Sequence, residues 1–455
     1  MLTISCCLAS LLCAATASDE GRIRPSDEHP RYWQYKGQTL MLLGGSEKDS
    51  LFHVPALEEH LDEMRAVGAN YIRNTMSDRK DRGYECWRVV QLPDGRYDLD
   101  KWNDAYWQHF ENLLRWTEER EIIVQIEVWD RFDYSQHNWV GNPYNPPNNV
   151  NYTHEESGLA AEYLGEAYYN EQPFFFTTPE QQNNAVVLAH QQRFVDKLLS
   201  HTLRYAHVLY CMDNETSGEE AWSAYWAEYI RAGAAEAGRE VCLTEMWDEW
   251  DIKGDTHRRT LDHPERYDFA DVSQNNQETG QEHWDNFQWA RTHVAGRPWP
   301  LNSVKTYGAD GGPFYGSQEG AERWWRHVIG GAASARFHRP PHGLGRSARA
   351  HGSIRAARKL EEVVRFWDLE PANARLSGRE ENEAYLTAKA GEVYVLYFTR
   401  GGSVTVDLAD APETVRLRWL DISSGEWADE SSVAGAGALS IEAPDDRGWL
   451  AVITE

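Results

Sequence analysis

The stretch HVLYCMDNE, residues 207–215, decides how the rest of the chain is read. Its first part is a short, continuous apolar run, which suits a strand buried on both faces of a parallel sheet. It then ends in three polar residues, Asp213, Asn214 and Glu215. A helical pattern follows, with Trp222, Trp226 and Ile230 on one face and Gly238 at its end. A buried strand that delivers polar groups at its C-terminal end and returns through a helix is a βα unit.

The same unit recurs on both sides of this stretch. Strands are predicted at 39–46, 70–76, 122–130, 207–213, 241–247, 269–274, 301–307 and 332–338. Helical patterns lie between them: 54–67 with Leu57, Leu61 and Met64, and 102–120 with Trp102, Tyr106, Phe110 and Leu113. Thr178-Pro179-Glu180-Gln181 has the form of a capping box that opens another helix. Eight such units in about 330 residues match a (β/α)8 barrel with insertions. A doubly wound sheet would want a Gly-rich phosphate turn after its first strand, and Gly44-Gly45-Ser46 is too short for one. Beyond residue 372 the apolar period changes to two, at 394–398, 404–408, 415–420 and 449–453. The expected fold is therefore α/β: a (β/α)8 TIM barrel over 18–371, followed by a small all-β sandwich over 372–455.

Net charge is −27, from 72 acidic and 45 basic residues. That balance argues against nucleic acid and against an anionic membrane surface, both of which need a basic face. No stretch after the leader is long and apolar enough to span a bilayer. The leader, residues 1–17, has an apolar run and an Ala15-Thr16-Ala17 cleavage pattern, so a secreted or periplasmic location is expected. Three of the six cysteines lie in that leader. The odd remainder, Cys86, Cys211 and Cys242, gives no disulfide framework and no metal-type spacing, and no metal or cofactor is expected. Oligomeric state is left open. The chain holds 20 Trp, 22 Tyr and 13 Phe, rings suited both to a core and to stacking on sugars.

A barrel places its chemistry where strands end. Those positions hold Arg73 and Asn74; Glu127, Trp129 and Asp130; Asp213, Asn214 and Glu215; Glu245, Trp247 and Asp248; Gln274, Asn275 and Asn276; Lys305 and Tyr307, with Asp310 just beyond; and Arg336 and His338. Convergent carboxylates with aromatic, amide and basic neighbours are the kit for glycosidic bond hydrolysis. Each residue also has a plainer role open to it. Glu127 suits a structural partner for Arg73 or Arg336, Asp130 a loop cap, and Trp129 and Trp247 core packing. His338 suits a hydrogen-bonded wall. Glu215, directly after Asn214, has few structural uses at a strand end.

At these residues the chain resembles the clan A glycoside hydrolases, in which an Asn-Glu pair ends strand four and its Glu is the acid/base. Asn214-Glu215 matches that pair, and Arg73 matches an Arg after strand two. More narrowly it is similar to the apiosidase-like glycoside hydrolases. The carrying segments are HPRYWQYKGQTLMLLGG and YVLYFTRGGSVTVDL…VRLRWLDISSGEW, the latter like the small collagen-binding-like domain that often follows them. The resemblance implies an enzyme cleaving O-glycosidic bonds in a plant or algal polysaccharide or oligosaccharide, with Glu215 as acid/base. The clan's nucleophilic Glu ends strand seven, where this chain has Lys305. Glu245 is the favoured substitute, with Asp310 close behind and Asp130 third. Arg73, Glu127, Trp129, Asp130, Asn214, Trp247, Asn275, Lys305, Tyr307, Arg336 and His338 are the expected substrate-binding residues. Lys305 and Arg336 would then suit an anionic group such as a uronate or sulfate. Two rival readings are a non-catalytic carbohydrate-binding protein on a degenerate barrel, and a uronate-directed lyase with Lys305 or His338 as base.

Overall fold

The computed structural model describes residues 21–77, 86–163 and 169–455. The leader, with the export signal read in it, lies outside the described residues.

Eight strands form one parallel sheet: β1 (Leu42–Gly45), β2 (Tyr71–Thr75), β3 (Ile123–Asp130), β4 (Val208–Asn214), β5 (Leu243–Thr244), β6 (Ala270–Asp271), β7 (Leu301–Thr306) and β8 (Ser334–Phe337). Hydrogen-bonded neighbours run in the order β5-β4-β3-β2-β1-β8-β7-β6. The seam between β5 and β6 is stitched by Asp268, whose backbone N–H donates to the Leu243 carbonyl at 2.9 Å. Its carboxylate accepts the Leu243 N–H at the same distance. Helices α1 (Leu57–Ala66), α2 (Asp104–Glu119), α3 (Ala185–Thr202), α4 (Glu220–Glu236), α5 (Asp255–Leu261), α6 (Gly280–His293), α7 (Gly316–Gly330) and α8 (Ala348–Glu361) follow the strands in turn. This is the expected (β/α)8 barrel. Among the described residues, no helix is long and apolar enough to cross a membrane.

Every residue of β3 and β4 is buried. β4 is apolar from Val208 to Met212, as a strand covered on both faces requires, whereas the buried Gln125 and Glu127 of β3 accept from Tyr71 and Arg73. A short three-stranded antiparallel sheet near the N-terminus closes the barrel floor. Its Trp33 fills the interior beside Leu42, Tyr71, Ile123 and Val304, and donates its indole N–H to Asn302 Oδ1 at 2.9 Å.

Local boundaries differ from the sequence reading where side chains take over backbone hydrogen bonds. β5 stops at Thr244 because the Glu245 carboxylate accepts the N–H groups of Met246 and Asp213, at 2.8 and 3.2 Å. β6 stops at Asp271 because its carboxylate accepts the Ser273 N–H at 2.8 Å and bends the chain into a single 3₁₀ turn, Ser273–Gln277. α2 starts at Asp104, capped by Asn103, and Trp102 belongs to a preceding strand instead. The Thr178 motif forms a turn, not a helix start. Asn183 adopts a left-handed φ of 52°, which interrupts helical winding, and α3 begins after its cap Asn184.

The C-terminal part comprises β9 (Ala384–Lys389), β10 (Val393–Phe398), β11 (Ser403–Asp407), β12 (Thr414–Asp421), β13 (Glu426–Ala434), β14 (Ala438–Glu442) and β15 (Trp449–Thr454). One antiparallel sheet contains β9-β10-β15-β12-β13 and the other contains β11-β14. The period of two divides each strand between two cores. Leu386, Leu396 and Phe398 face the second sheet, with Val404, Val406 and Ile441 opposite. Tyr385, Tyr397, Leu420 and Leu450 face the barrel and share a core with Trp324, Trp325 and Ile354 of α7 and α8. The rings of Trp325 and Tyr397 stack at 5.8 Å.

Candidate active site

The C-terminal ends of the barrel strands surround a cleft of about 320 Å³. Glu215 stands in it. The chain enters from β4 and continues into Thr216, which pairs with Trp247 on the neighbouring segment. The Thr216 N–H donates to the Met246 carbonyl at 2.7 Å, and the Asp248 N–H donates to the Thr216 carbonyl at 2.8 Å. Between these fixed points Glu215 adopts a left-handed φ of 61°. A carboxylate residue persists in that conformation only where its surroundings impose it.

Its carboxylate is surrounded by donors. Lys305 Nζ lies 2.7 Å from Oε1, and the Tyr307 hydroxyl donates to the same oxygen at 3.0 Å. Arg131 reaches Oε2 at 3.4 Å and Asp248 Oδ2 at 2.6 Å, so one guanidinium joins two carboxylates. Burial alone would raise the Glu215 pKa. Lys305, Arg131 and the two hydrogen bonds outweigh it and hold the group below the usual carboxylate range. Asp248 moves the other way. Its burial dominates over Arg131, and the neighbouring Glu215 charge adds to the upward shift.

The rest of the wall is laid around this pair. Asn214 Oδ1 accepts from Lys305 at 2.5 Å and from Arg73 at 2.9 Å, while its amide donates to Asp130 at 3.1 Å. Arg73 also pairs with Asp49 at 2.6 Å and with Glu127. Asp49 in turn holds Arg339. Burial would raise the Asp49 pKa, but the Arg73 and Arg339 guanidinium groups hold it well below the carboxylate norm. Tyr307 stacks on Phe314 at 4.5 Å and meets His338 edge-on at 5.2 Å. Burial keeps His338 neutral.

Of the residues singled out in the sequence, Arg73, Asn214, Glu215, Lys305, Tyr307 and His338 line this cleft together. Glu127 and Asp130 lie just beneath it. Glu127 accepts from Arg73 and, at 2.5 Å, from Thr75, while Asp130 caps the turn Arg131–Tyr134 through the Phe132 N–H. Neither lines the cleft, so neither is a substrate-binding residue there.

Six further expectations are corrected. Glu245 is fully buried behind β4, where the Ser223 hydroxyl and two backbone N–H groups occupy its oxygens. Asp310 is exposed and accepts the Ser317 N–H near the start of α7. Trp129 packs among Phe174, Phe194, Trp222 and Trp226 in the layer between sheet and helices. Trp247 is buried and donates its indole N–H to Thr260 at 2.9 Å. Asn275 is carried inward by the 3₁₀ turn and donates to the His283 carbonyl at 2.8 Å. Arg336 points into the barrel, where Ser46 and the Val304 carbonyl take its guanidinium. Arg336 is therefore not a cleft cation, and Lys305 is committed to Glu215 and Asn214.

Sequence reasoning gave no role to Asp49, Phe132, Gln277, Phe314, Arg339 and His342, which line the cleft, or to Arg131 behind it. Asp248 was legible as a strand-end acid, but not as a neighbour of Glu215. Most of the others sit one to several residues past a strand end, on loops whose paths periodicity does not fix. A cue existed for Arg131 and Arg339, each of which directly follows a residue singled out as a strand end.

A glycoside hydrolase of family 5 from Bacteroides vulgatus superposes with a TM-score of 0.63 at 12% identity, over 96% of this chain and 94% of that one. This chain shares its barrel with glycoside hydrolases. A second structure described as a glycoside hydrolase gives a TM-score of 0.62 at 11% identity, over 96% and 97% of the two chains. The maltogenic α-amylase AmyB from Thermotoga neapolitana gives 0.52 at 10% identity, over 91% and 99%. At such identities the likeness is one of fold. No family model matches the sequence, and no curated protein matches it either.

Proposed function

We propose that the chain hydrolyses a glycosidic bond in this cleft, with Asp248 as proton donor and Glu215 as the ionised partner. One observation carries the reading: two carboxylates joined by Arg131 in one cleft are displaced in opposite directions on the pKa scale. Environments that separate two acids in this way assign one as acid and the other as base or nucleophile. The proton-donor role that the resemblance gave to Glu215 thus passes to Asp248. Asp248 would protonate the leaving oxygen. Glu215 would attack the anomeric carbon or activate water, and its charge would stabilise the developing oxocarbenium ion.

Phe132, Tyr307 and Phe314 supply ring faces for a sugar. The cleft volume favours a terminal sugar or short segment over a long threaded chain. The cleft-lining cations Arg73, Lys305 and Arg339 all lie against carboxylates. That pairing supports an uncharged sugar over a uronate or sulfate, within the plant or algal glycans the resemblance implies.

One observation favours a second reading, a carbohydrate-binding protein without catalysis: Lys305 and Tyr307 both occupy Glu215 Oε1. Release of reducing sugar from a panel of neutral oligosaccharides distinguishes the two. Hydrolysis that disappears in both Asp248→Asn and Glu215→Gln supports the enzyme. Calorimetric binding with no product supports the binder, and full activity in either variant removes the proposed pair.

A further inference from the structure

Beside the cleft, three segments meet at a second cluster. His53 ends the 3₁₀ turn Leu51–His53 after β1, Cys86 precedes Trp87 in the connection after β2, and His109 lies on α2. One ligand-capable atom from each, two ring nitrogens and the sulfur, all lie within 4.8 Å of one another. His53 is 1% exposed, yet both its ring nitrogens lack a hydrogen-bond partner. A buried imidazole with two unmatched nitrogens calls for an explanation, and an absent ion is one.

We propose that His53, Cys86 and His109 bind a divalent transition-metal ion, zinc by preference. Two imidazoles and one thiolate form a borderline-soft donor set, which suits zinc over magnesium or calcium. Zinc bonds of about 2.1 Å to nitrogen and about 2.3 Å to sulfur would set the donors roughly 3.5 Å apart. Small rotations of the partly buried Cys86 and His109 close that gap. On binding, the thiol releases its proton to solvent as the metal–sulfur bond forms. A water completes the tetrahedron.

The ion would be a brace. It would tie α2 and the connection after β2 to the turn that begins just past Asp49, a wall residue of the cleft. Phe52 in that turn already packs edge-on against Tyr106 and Phe110 of α2.

The test uses the full chain stripped of metal by a chelator and titrated with cobalt(II), then with zinc. The expected result is one cobalt per chain, with a thiolate-to-metal charge-transfer band that zinc abolishes by displacement. Cys86→Ser should lose that band, and His109→Gln should weaken binding by roughly tenfold or more. Zinc should raise the Tm of the parent chain but not of His109→Gln. His109 is only partly buried, so this variant should keep the parent far-ultraviolet circular dichroism. Cobalt binding without a thiolate band, or affinity unchanged in both variants, overturns the site.

Discussion

Lys305 Nζ lies 2.7 Å from Glu215 Oε1, and the side chains are only 2% and 17% exposed. An ammonium at the end of β7 therefore neutralises a carboxylate delivered by β4 across the barrel mouth. Buried pairs of this kind are expensive to break on one side, because the surviving charge is left without a partner.

Glu215→Gln should therefore lose stability as well as activity. Removing the charge strands Lys305 and leaves Arg131 with Asp248 alone, at a cost of about 3 kcal/mol in urea unfolding. Hydrolysis should fall at least ~100-fold, as expected when an acid–base group is removed. Adding Lys305→Met should recover part of the stability and none of the activity. A double variant no more stable than the single one would show that the pair contributes little to folding.

The two acids predict an asymmetric pH profile. Glu215 stays ionised well into the acid range, whereas Asp248 holds its proton to higher pH than an ordinary aspartate. Activity should be greatest on the acid side and decline as pH rises through the raised pKa of Asp248. In Asp248→Asn the residual rate should lose that alkaline decline, as read from kcat against pH.

Glu245 shapes stability instead. Burial, opposed by its hydrogen bonds, raises its pKa from 4.5 to about 7. The folded chain then binds more protons than the unfolded one, so this contribution is fully present below pH 4.5 and is lost as pH rises through about 7. The loss amounts to about 3 kcal/mol. Asp271, raised to about 6 by burial, acts in the same direction. Unfolding measured across this range should show the decline, and Glu245→Gln should flatten it.

Removing residues 372–455 should yield an aggregating barrel. Trp324 and Trp325 pack against Tyr385, Tyr397, Leu420 and Leu450, and excision leaves that face bare. Size-exclusion chromatography of the shortened chain should show large species, while the intact chain should melt in one transition. A monodisperse, fully active barrel would make the C-terminal part dispensable.

Long buried runs made most of the architecture readable. Residues 122–130 and 207–213 are rich enough in β-branched and other apolar residues to be placed as strands within a residue or two, despite Gln125 and Glu127 in the first. β5 and β6 came out shorter because Glu245 and Asp271 capture backbone N–H groups that pattern alone would assign to a ladder. At the mouth, strand ends placed Arg73, Asn214, Glu215 and Lys305 correctly. The period of two does not reveal which way a residue faces once the strand has ended, so Trp129 and Glu245 look like cleft residues in the sequence and are not. Likewise Asp49 and Arg131 are tied to the cleft by ion pairs between loops, which leave no mark in spacing.

None of the 20 tryptophans lines the cleft. Trp129, Trp222 and Trp226 lie together in the core, and the ring walls of the cleft are phenylalanine and tyrosine. Intrinsic indole fluorescence will therefore follow unfolding sensitively while staying nearly blind to a bound sugar. Ligand screens on this chain need calorimetry or a labelled glycan.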